Sequence, residues 1–391
     1  MNPIPGEFSP PPRILLGPGP SNVHPRVLRA MAVPLLGHMD PAFIALMEEI
    51  KSLLRYVFQT RNEMTFPISG TGSAGMEACL VNLLEPGDEI LVCVNGLFGE
   101  RMAEVAGRCR AKVHRVEAEW GRIFEPQAVG EALRGLKPAV VALVHAETST
   151  GALQPLKPIA DLAHEAGALF LADTVTSLGG VPVDLDANGV DAAYSGTQKC
   201  LSCPPGLAPI SFNQKAMAKV ANRKTKVQSW YLDISLLYQY WGSERVYHHT
   251  APISMNYALR EALRLVAEEG LEACYARHRL NHQALAAGLR ALGLSLHAQE
   301  GHRLPMLNTV RVPEGVDAAL VQKRLLSEYN IEILGGLGPL KGKIWRVGLM
   351  GHSSRKENVL LFLMALEEIL LDLGALDAPR GAVSAAAKVY R

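Results

Sequence analysis

Two residues of opposite charge stand at the ends of apolar runs near the middle of the chain. Asp173 closes the run Ala168-Leu169-Phe170-Leu171-Ala172, and Lys199 ends Ser195-Gly196-Thr197-Gln198-Lys199 just after another strand-like run. An amine and a carboxylate on neighbouring buried strands can serve one cofactor. The amine condenses with an aldehyde to a Schiff base, and the carboxylate pairs with a protonated ring nitrogen. That is what a pyridoxal 5'-phosphate (PLP) site needs, because a protonated ring draws electrons from the substrate Cα.

Such a cofactor also needs a phosphate cradle. Ser69-Gly70-Thr71-Gly72-Ser73-Ala74-Gly75 follows a strand-like run and opens a helical one. Its glycines permit close backbone approach. Free amides at a helix start and the hydroxyls of Thr71 and Ser73 suit a phosphate. Gly70, Gly72 and Gly75 also match the dinucleotide fingerprint, which expects an acidic residue after the next strand. Asn95 stands there, against a nicotinamide cofactor.

Three further residues stand where a ligand would touch them. Phe98 follows a strand and starts a helix, where its ring would stack on a flat cofactor or fill the core. Thr148 also follows a strand. It would hydrogen-bond a ring hydroxyl or the Asp173 carboxylate, or belong to a simple turn. Arg346 lies inside the apolar run Lys343-Ile344-Trp345-Arg346-Val347-Gly348. A guanidinium there needs a buried ion-pair partner or a ligand carboxylate, which it would clamp with two hydrogen bonds. His145 and Glu147 need not be acid–base groups, since Lys199 can do that work. Cys200 and Cys203 have CxxC spacing but no second ligand pair. His248 and His249 are adjacent and would point apart, so no metal is expected.

The elements that must position these residues follow from the pattern. Candidate strands at Thr65–Ser69, Ile90–Asn95, Lys112–Val116, Ala139–His145, Ala168–Ala172, Ala192–Ser195 and Leu207–Phe212 alternate with helical stretches such as Ala74–Leu84 and Gly99–Cys109. Continuous apolar strands between helices predict an α/β fold with a mainly parallel sheet covered on both faces. Ligands bind such sheets outside the carboxyl ends of the strands. A long helical stretch, Ser254–Leu292, is expected to break at Gly270. A strand–helix–strand pattern (Leu307 to Gly348) and an apolar helix (Arg355–Leu370) predict a smaller C-terminal domain, with an Ala-rich tail from Gly374 on its surface. The expected division is an arm over 1–22, a large domain over 23–255 and a small domain over 256–391.

The 391 residues are 48% hydrophobic with a formal net charge of +1, which gives no reason to expect nucleic acid or an anionic membrane as partner. No apolar run is long enough to span a bilayer. Met1 to Pro12 is Pro-rich and lacks a signal pattern, and Lys388-Val389-Tyr390-Arg391 is not a peroxisomal address. Six cysteines in mostly apolar surroundings suit a reducing compartment, so a cytoplasmic location is expected.

Taken together, the residues resemble the class V, fold-type I aminotransferases, and within them the alanine–glyoxylate and serine–pyruvate aminotransferases. The likeness runs from Leu16-Gly17-Pro18-Gly19-Pro20-Ser21-Asn22 through Glu85-Pro86-Gly87-Asp88, Ser149-Thr150-Gly151, Tyr194-Ser195-Gly196 and Pro204-Pro205-Gly206 to Tyr247-His248-His249-Thr250 and Gly335-Gly336-Leu337-Gly338-Pro339. The resemblance implies that Lys199 carries PLP and Asp173 holds its pyridine nitrogen. It implies a phosphate site of Thr71, Gly72, Ser73 and Gln198, completed by Tyr247 and Thr250 from the other subunit of a homodimer. Arg346 would bind the substrate carboxylate, and the backbone near Gly19 would close a small pocket. The implied activity is ping-pong transfer of an amino group from a small amino acid, alanine first, to glyoxylate. Serine–glyoxylate, serine–pyruvate and ureidoglycine–glyoxylate transamination stay open. Phe98 stands where the animal enzymes commonly carry Trp, and Thr148 where Ser is usual. Gly37-His38-Met39-Asp40 also differs, in a segment that shapes the neighbouring active site.

Overall fold

The computed structural model describes residues 5–391; the first four residues of the expected arm lie outside the described residues. The chain opens with a short strand, β1 (Ile14–Leu15), and two helices, α1 (Pro25–Met31) and α2 (Pro41–Phe58). Both helices begin with proline, which has no N–H to leave unpaired at a helix start. The His24 and Asp40 side chains cap them by accepting from Arg26 N and Ala42 N.

Strands and helices then alternate. They run β2 (Met64–Ser69), α3 (Gly72–Leu83), β3 (Glu89–Val94), α4 (Leu97–Arg108), β4 (Lys112–Glu117), α5 (Pro126–Leu133) and β5 (Val140–Val144). The hairpin β6 (Ala146–Glu147) and β7 (Ala152–Leu153) follows, then α6 (Lys157–Glu165), β8 (Leu169–Asp173), β9 (Ala192–Tyr194) and β10 (Leu207–Phe212). Seven strands form one sheet in the order β2-β10-β9-β8-β5-β3-β4. Every pairing is parallel except those of β10, which runs against β2 and β9. Ser69, Val94, Val144, Asp173 and Tyr194 therefore end their strands along one edge.

Period-two geometry sends successive side chains to opposite faces. Ile90, Val92 and Val94 of β3 join one apolar cluster, while Leu91 and Cys93 join the other. Val140 and Ala142 of β5 likewise part from Val141 and Leu143. Each fully buried aliphatic side chain contributes about 1.5–3 kcal/mol. Burial on both faces is what fixes the strand ends that carry the polar residues.

Helices α7 (Gln214–Ala221) and α8 (Ile234–Trp241) lead to α9 (Ile253–Glu269) and α10 (Leu271–Ala291). Gly270 breaks the last two with a φ of +82°, a conformation glycine adopts without a Cβ penalty. The C-terminal part carries β11 (Leu307–Arg311), α11 (Ala318–Tyr329), β12 (Ile331–Glu332), β13 (Leu334–Gly335), β14 (Ile344–Gly348), α12 (Lys356–Asp372) and α13 (Ala382–Val389). Its sheet, β11-β14-β13, is antiparallel, and β1 pairs with β12. A third cluster gathers Leu16, Ala284, Val310, Trp345, Val347 and Phe362. The expected boundary at 255–256 falls inside the start of α9, and along α10 the core passes from the second cluster at Tyr275 to the third at Ala284.

One expectation is corrected. The Ala-rich tail does not simply lie on the surface. It forms α13, whose Ala382 and Ala386 are fully buried in the third cluster. Small side chains on both partners allow the close approach: a Cβ on Gly288 of α10 would lie 3.0 Å from the Ala382 carbonyl oxygen. No helix among the described residues is long and apolar enough to cross a membrane.

Candidate active site

Asp173 is the last residue of β8, in register with Tyr194 of β9 and Val144 of β5. It is 2% exposed. Its Oδ1 accepts from Val175 N at 2.8 Å and its Oδ2 from the Tyr194 hydroxyl at 2.7 Å. Burial pushes its pKa up to about 7 against those hydrogen bonds, and the negative charge of Glu147 adds to the rise. A cation placed against it would restore the ionised form.

Lys199 follows β9 in the turn that starts at Thr197, and it is 9% exposed. Its Nζ donates to the Pro18 carbonyl oxygen. Burial brings its pKa down to about 8, helped by the positive charge of Arg346 and opposed by Asp173. A buried lysine so lowered is neutral in a large fraction at mild alkaline pH, as a nucleophile or base must be. Gly19 lies against it with φ +112°. A Cβ there would sit 2.5 Å from Lys199 Nζ.

Beside this pair the Gly-rich loop joins β2 to α3. Thr71 is the N-cap residue of α3, yet its side chain makes no cap hydrogen bond. Gly72 is buried, and a Cβ on it would lie 3.3 Å from Val175 Cγ2 and 3.6 Å from Gly196 Cα. The Gln198 amide oxygen is buried with no partner among the described residues. The exposed Thr71 hydroxyl, a helix start without a side-chain cap beside the exposed Ser73, and the orphaned amide of Gln198 are groups that suit a phosphate. With the buried amine and carboxylate, this set fits PLP.

Phe98 is half-buried in the first turn of α4, with the Arg101 guanidinium 5.1 Å from its ring centroid. Thr148 is buried, its hydroxyl 2.8 Å from that of Thr176. Arg346 sits at the centre of β14 and is 5% exposed; its Nε donates to Gly335 O at 2.8 Å. No carboxylate lies within ion-pair distance of it among the described residues, so its terminal nitrogens have no salt bridge. Burial brings its pKa down to about 10, with Glu147 opposing. Tyr247 and Thr250 are exposed. The Tyr247 ring stands 5.0 Å from His38, and neither residue hydrogen-bonds to the Gly-rich loop of its own chain. The own-chain neighbours of that loop are His249, whose Nε2 is 2.7 Å from Ser69 Oγ, and Tyr231, whose hydroxyl donates to Ser69 O.

Sequence reasoning gave no role to Tyr194, Val175 or Glu147. Tyr194 was legible only in part: a Tyr in a strand reads as core, and its partner appears once β8 and β9 are in register. A cavity of about 830 Å³ around Arg61, Asp191 and Asn213 opens at the amino-terminal edge of the sheet and contains none of these residues.

The sequence pattern described as Aminotransferase class-V matches residues 15–351. The chain is 46% identical to the alanine–glyoxylate aminotransferase of Mus musculus over 93% of this chain and 89% of that protein. The crystal structure of an alanine–glyoxylate aminotransferase from Nostoc sp. superposes with a TM-score of 0.93 at 56% identity, covering 94% of this chain and 97% of that one. That of the ureidoglycine–glyoxylate aminotransferase of Bacillus subtilis gives 0.97 at 45% identity, covering 98% and 100%. This chain belongs to the class-V aminotransferase family. Its fold is the α/β arrangement of the fold-type I enzymes.

Proposed function

We propose that this protein moves an amino group from a small amino acid, alanine first, to glyoxylate, with PLP bound at Lys199 and Asp173. Its relatives are named for alanine–glyoxylate and ureidoglycine–glyoxylate transfer. The observation that carries the reading is a buried amine and a buried carboxylate at one edge of the seven-stranded sheet, with the buried guanidinium of Arg346 on β14, which has no acidic partner among the described residues, near enough for its charge to lower the Lys199 pKa.

PLP, when bound, supplies an electron sink for the charge that develops at the substrate Cα. Asp173 would hold the ring nitrogen in its cationic form, since a buried carboxylate beside a cation favours the charged pair. Tyr194 and Val175 orient that carboxylate. Thr71, Gly72, Ser73 and Gln198 would hold the phosphate. Phe98 and Thr148 would hold the ring. Arg346 takes the substrate carboxylate in a two-pronged hydrogen bond. Lys199 would hold the cofactor, and its Nζ is the group that would move the proton at the substrate Cα. One site that stores an amino group between substrates implies ping-pong kinetics.

The reading includes a homodimer, with Tyr247 and Thr250 reaching the partner's phosphate site. It is supported by their exposure and by the exposed Val33, Leu35, Trp230 and Val246. It also includes a cytoplasmic location, supported by six free and buried cysteines. The deciding experiment adds amino acids singly to the yellow PLP-loaded protein and follows the visible band. Alanine should bleach it and glyoxylate restore it. A band that serine or ureidoglycine bleaches faster than alanine would reassign the donor. A Lys199→Ala variant that still turns over many times without added amine would end the proposal.

A further inference from the structure

Glu147 is a buried carboxylate of the site to which the reading above gives no task. It ends β6 with 0% exposure, and four donors converge on it. Phe98 N and Gly99 N donate to Oε2 at 3.1 and 3.4 Å, and Ser149 N and Oγ donate to Oε1 at 3.0 and 2.6 Å. Ser149 Oγ in turn accepts from Leu97 N at 2.9 Å, so its own proton is free for the carboxylate. Burial pushes the Glu147 pKa up, and the four donors, with no acceptor among its partners, oppose that rise by favouring the ionised form.

The local sequence is built around this contact. Helix α4 begins at Gly96, which has no capping side chain, and Glu147 reaches across from the neighbouring strand to supply the missing acceptor. Gly96 is what admits it. A Cβ there would overlap Glu147 Cγ and Cδ and come within 2.6 Å of Ser149 Oγ. The capped amides are those of the first turn of α4, and Phe98 is one of them. The same charge reaches other elements: Asp173 on β8, Tyr194 on β9 and Arg346 on β14 all feel it.

We propose that Glu147 is a positioning residue for transamination: it seats Phe98 against the cofactor ring, and its negative charge acts directly in favour of the protonated cofactor. The inference rests on the PLP reading of Lys199 and Asp173. It deepens that reading by giving the site a second anion that touches neither substrate nor cofactor. An amide at position 147 would lose the charge. Its NH2 would also face an N–H donor, whichever way it turned.

The test compares the PLP-loaded wild type with Glu147→Gln by visible absorbance and circular dichroism across pH. Removing a nearby negative charge disfavours protonation of the bound chromophore, so the midpoint of the visible-band titration should fall by about 0.5–1 unit. The visible dichroism should weaken as Phe98 loses its seat. A midpoint and dichroism equal to the wild type, with only a lower melting temperature, would overturn the proposal and leave Glu147 a helix cap. If Glu147→Gln does not fold, Glu147→Asp keeps the charge and shortens the reach. It should retain the wild-type midpoint with weaker dichroism, and a displaced midpoint or unchanged dichroism there would overturn it equally. A wild type that shows no visible band with PLP would instead bring down the cofactor reading itself.

Discussion

The Tyr194 hydroxyl donates to Asp173 Oδ2 at 2.7 Å, between residues that stand directly opposite each other on adjacent parallel strands. The site thus owes its central carboxylate geometry to sheet register rather than to a loop. Tyr194→Phe keeps the packing and removes the donor. A hydrogen bond to a charged group contributes about 1.5–3 kcal/mol, so PLP affinity and kcat/KM together should fall by about 10- to 150-fold. Equilibrium titration of PLP and steady-state kinetics read this out. A variant equal to the wild type in both would remove Tyr194 from the site.

The raised pKa of Asp173 has a signed consequence for the protein without cofactor. An unfolded Asp ionises near 3.8, whereas the folded one holds its proton to about 7. The folded state therefore binds more protons between those values, and this group's contribution to stability falls as pH rises across that window. Asp173→Asn removes the effect. The cofactor-free variant should melt above the cofactor-free wild type at pH 7.5 and close to it at pH 4, by calorimetry. A gap that is wider at pH 4 than at pH 7.5 would contradict the burial argument.

Arg346→Ala should act on carboxylate binding. The expected loss is about 1.5–3 kcal/mol, or a KM raised about 10- to 150-fold for the amino acid and the oxo acid alike. Arg346→Lys keeps a charge but not the planar fork, so it should recover only part of that loss. An unchanged KM and kcat in the Ala variant would move the clamp elsewhere.

Gly19 tests the space around the amine. Its positive φ strains any residue with a Cβ, and a methyl group there would have to push the Lys199 side chain aside. Gly19→Ala should cut the PLP bound per subunit, measured by visible absorbance after gel filtration. Gly107→Ala, where a Cβ meets nothing within 4 Å, serves as the control. Equal loading of the two variants would refute the close approach.

Much of this was legible in the sequence. Parallel strands buried on both faces are unbroken apolar runs, so β3, β5 and β8 announce themselves. Charged residues at or shortly after the end of such runs, Asp173 and Lys199, stand out by contrast. Contacts made across long separations did not stand out. The bond from Glu147 to the Phe98 amide spans 49 residues, and nothing near either residue hints at the other. The docking of α13 was hidden differently: alanines give a weak pattern, yet their small size is what lets the helix pack against α10. Arg346 was readable as a buried cation, but only the structure shows that its guanidinium has no acidic neighbour within ion-pair distance among the described residues.

The segment from Leu16 to Ser21 supplies none of the reacting groups, yet it touches what holds them. Pro18 O receives the Lys199 amine, Ser21 Oγ donates to the Lys199 carbonyl, and Leu16 O accepts from Gly348 at the end of the strand that carries Arg346. It acts as a tie-rod between the two halves of the machine. A protein trimmed of these residues would keep every reactive side chain and lose the fixed span between nucleophile and anchor, so its chemistry would fail through slack rather than through missing parts.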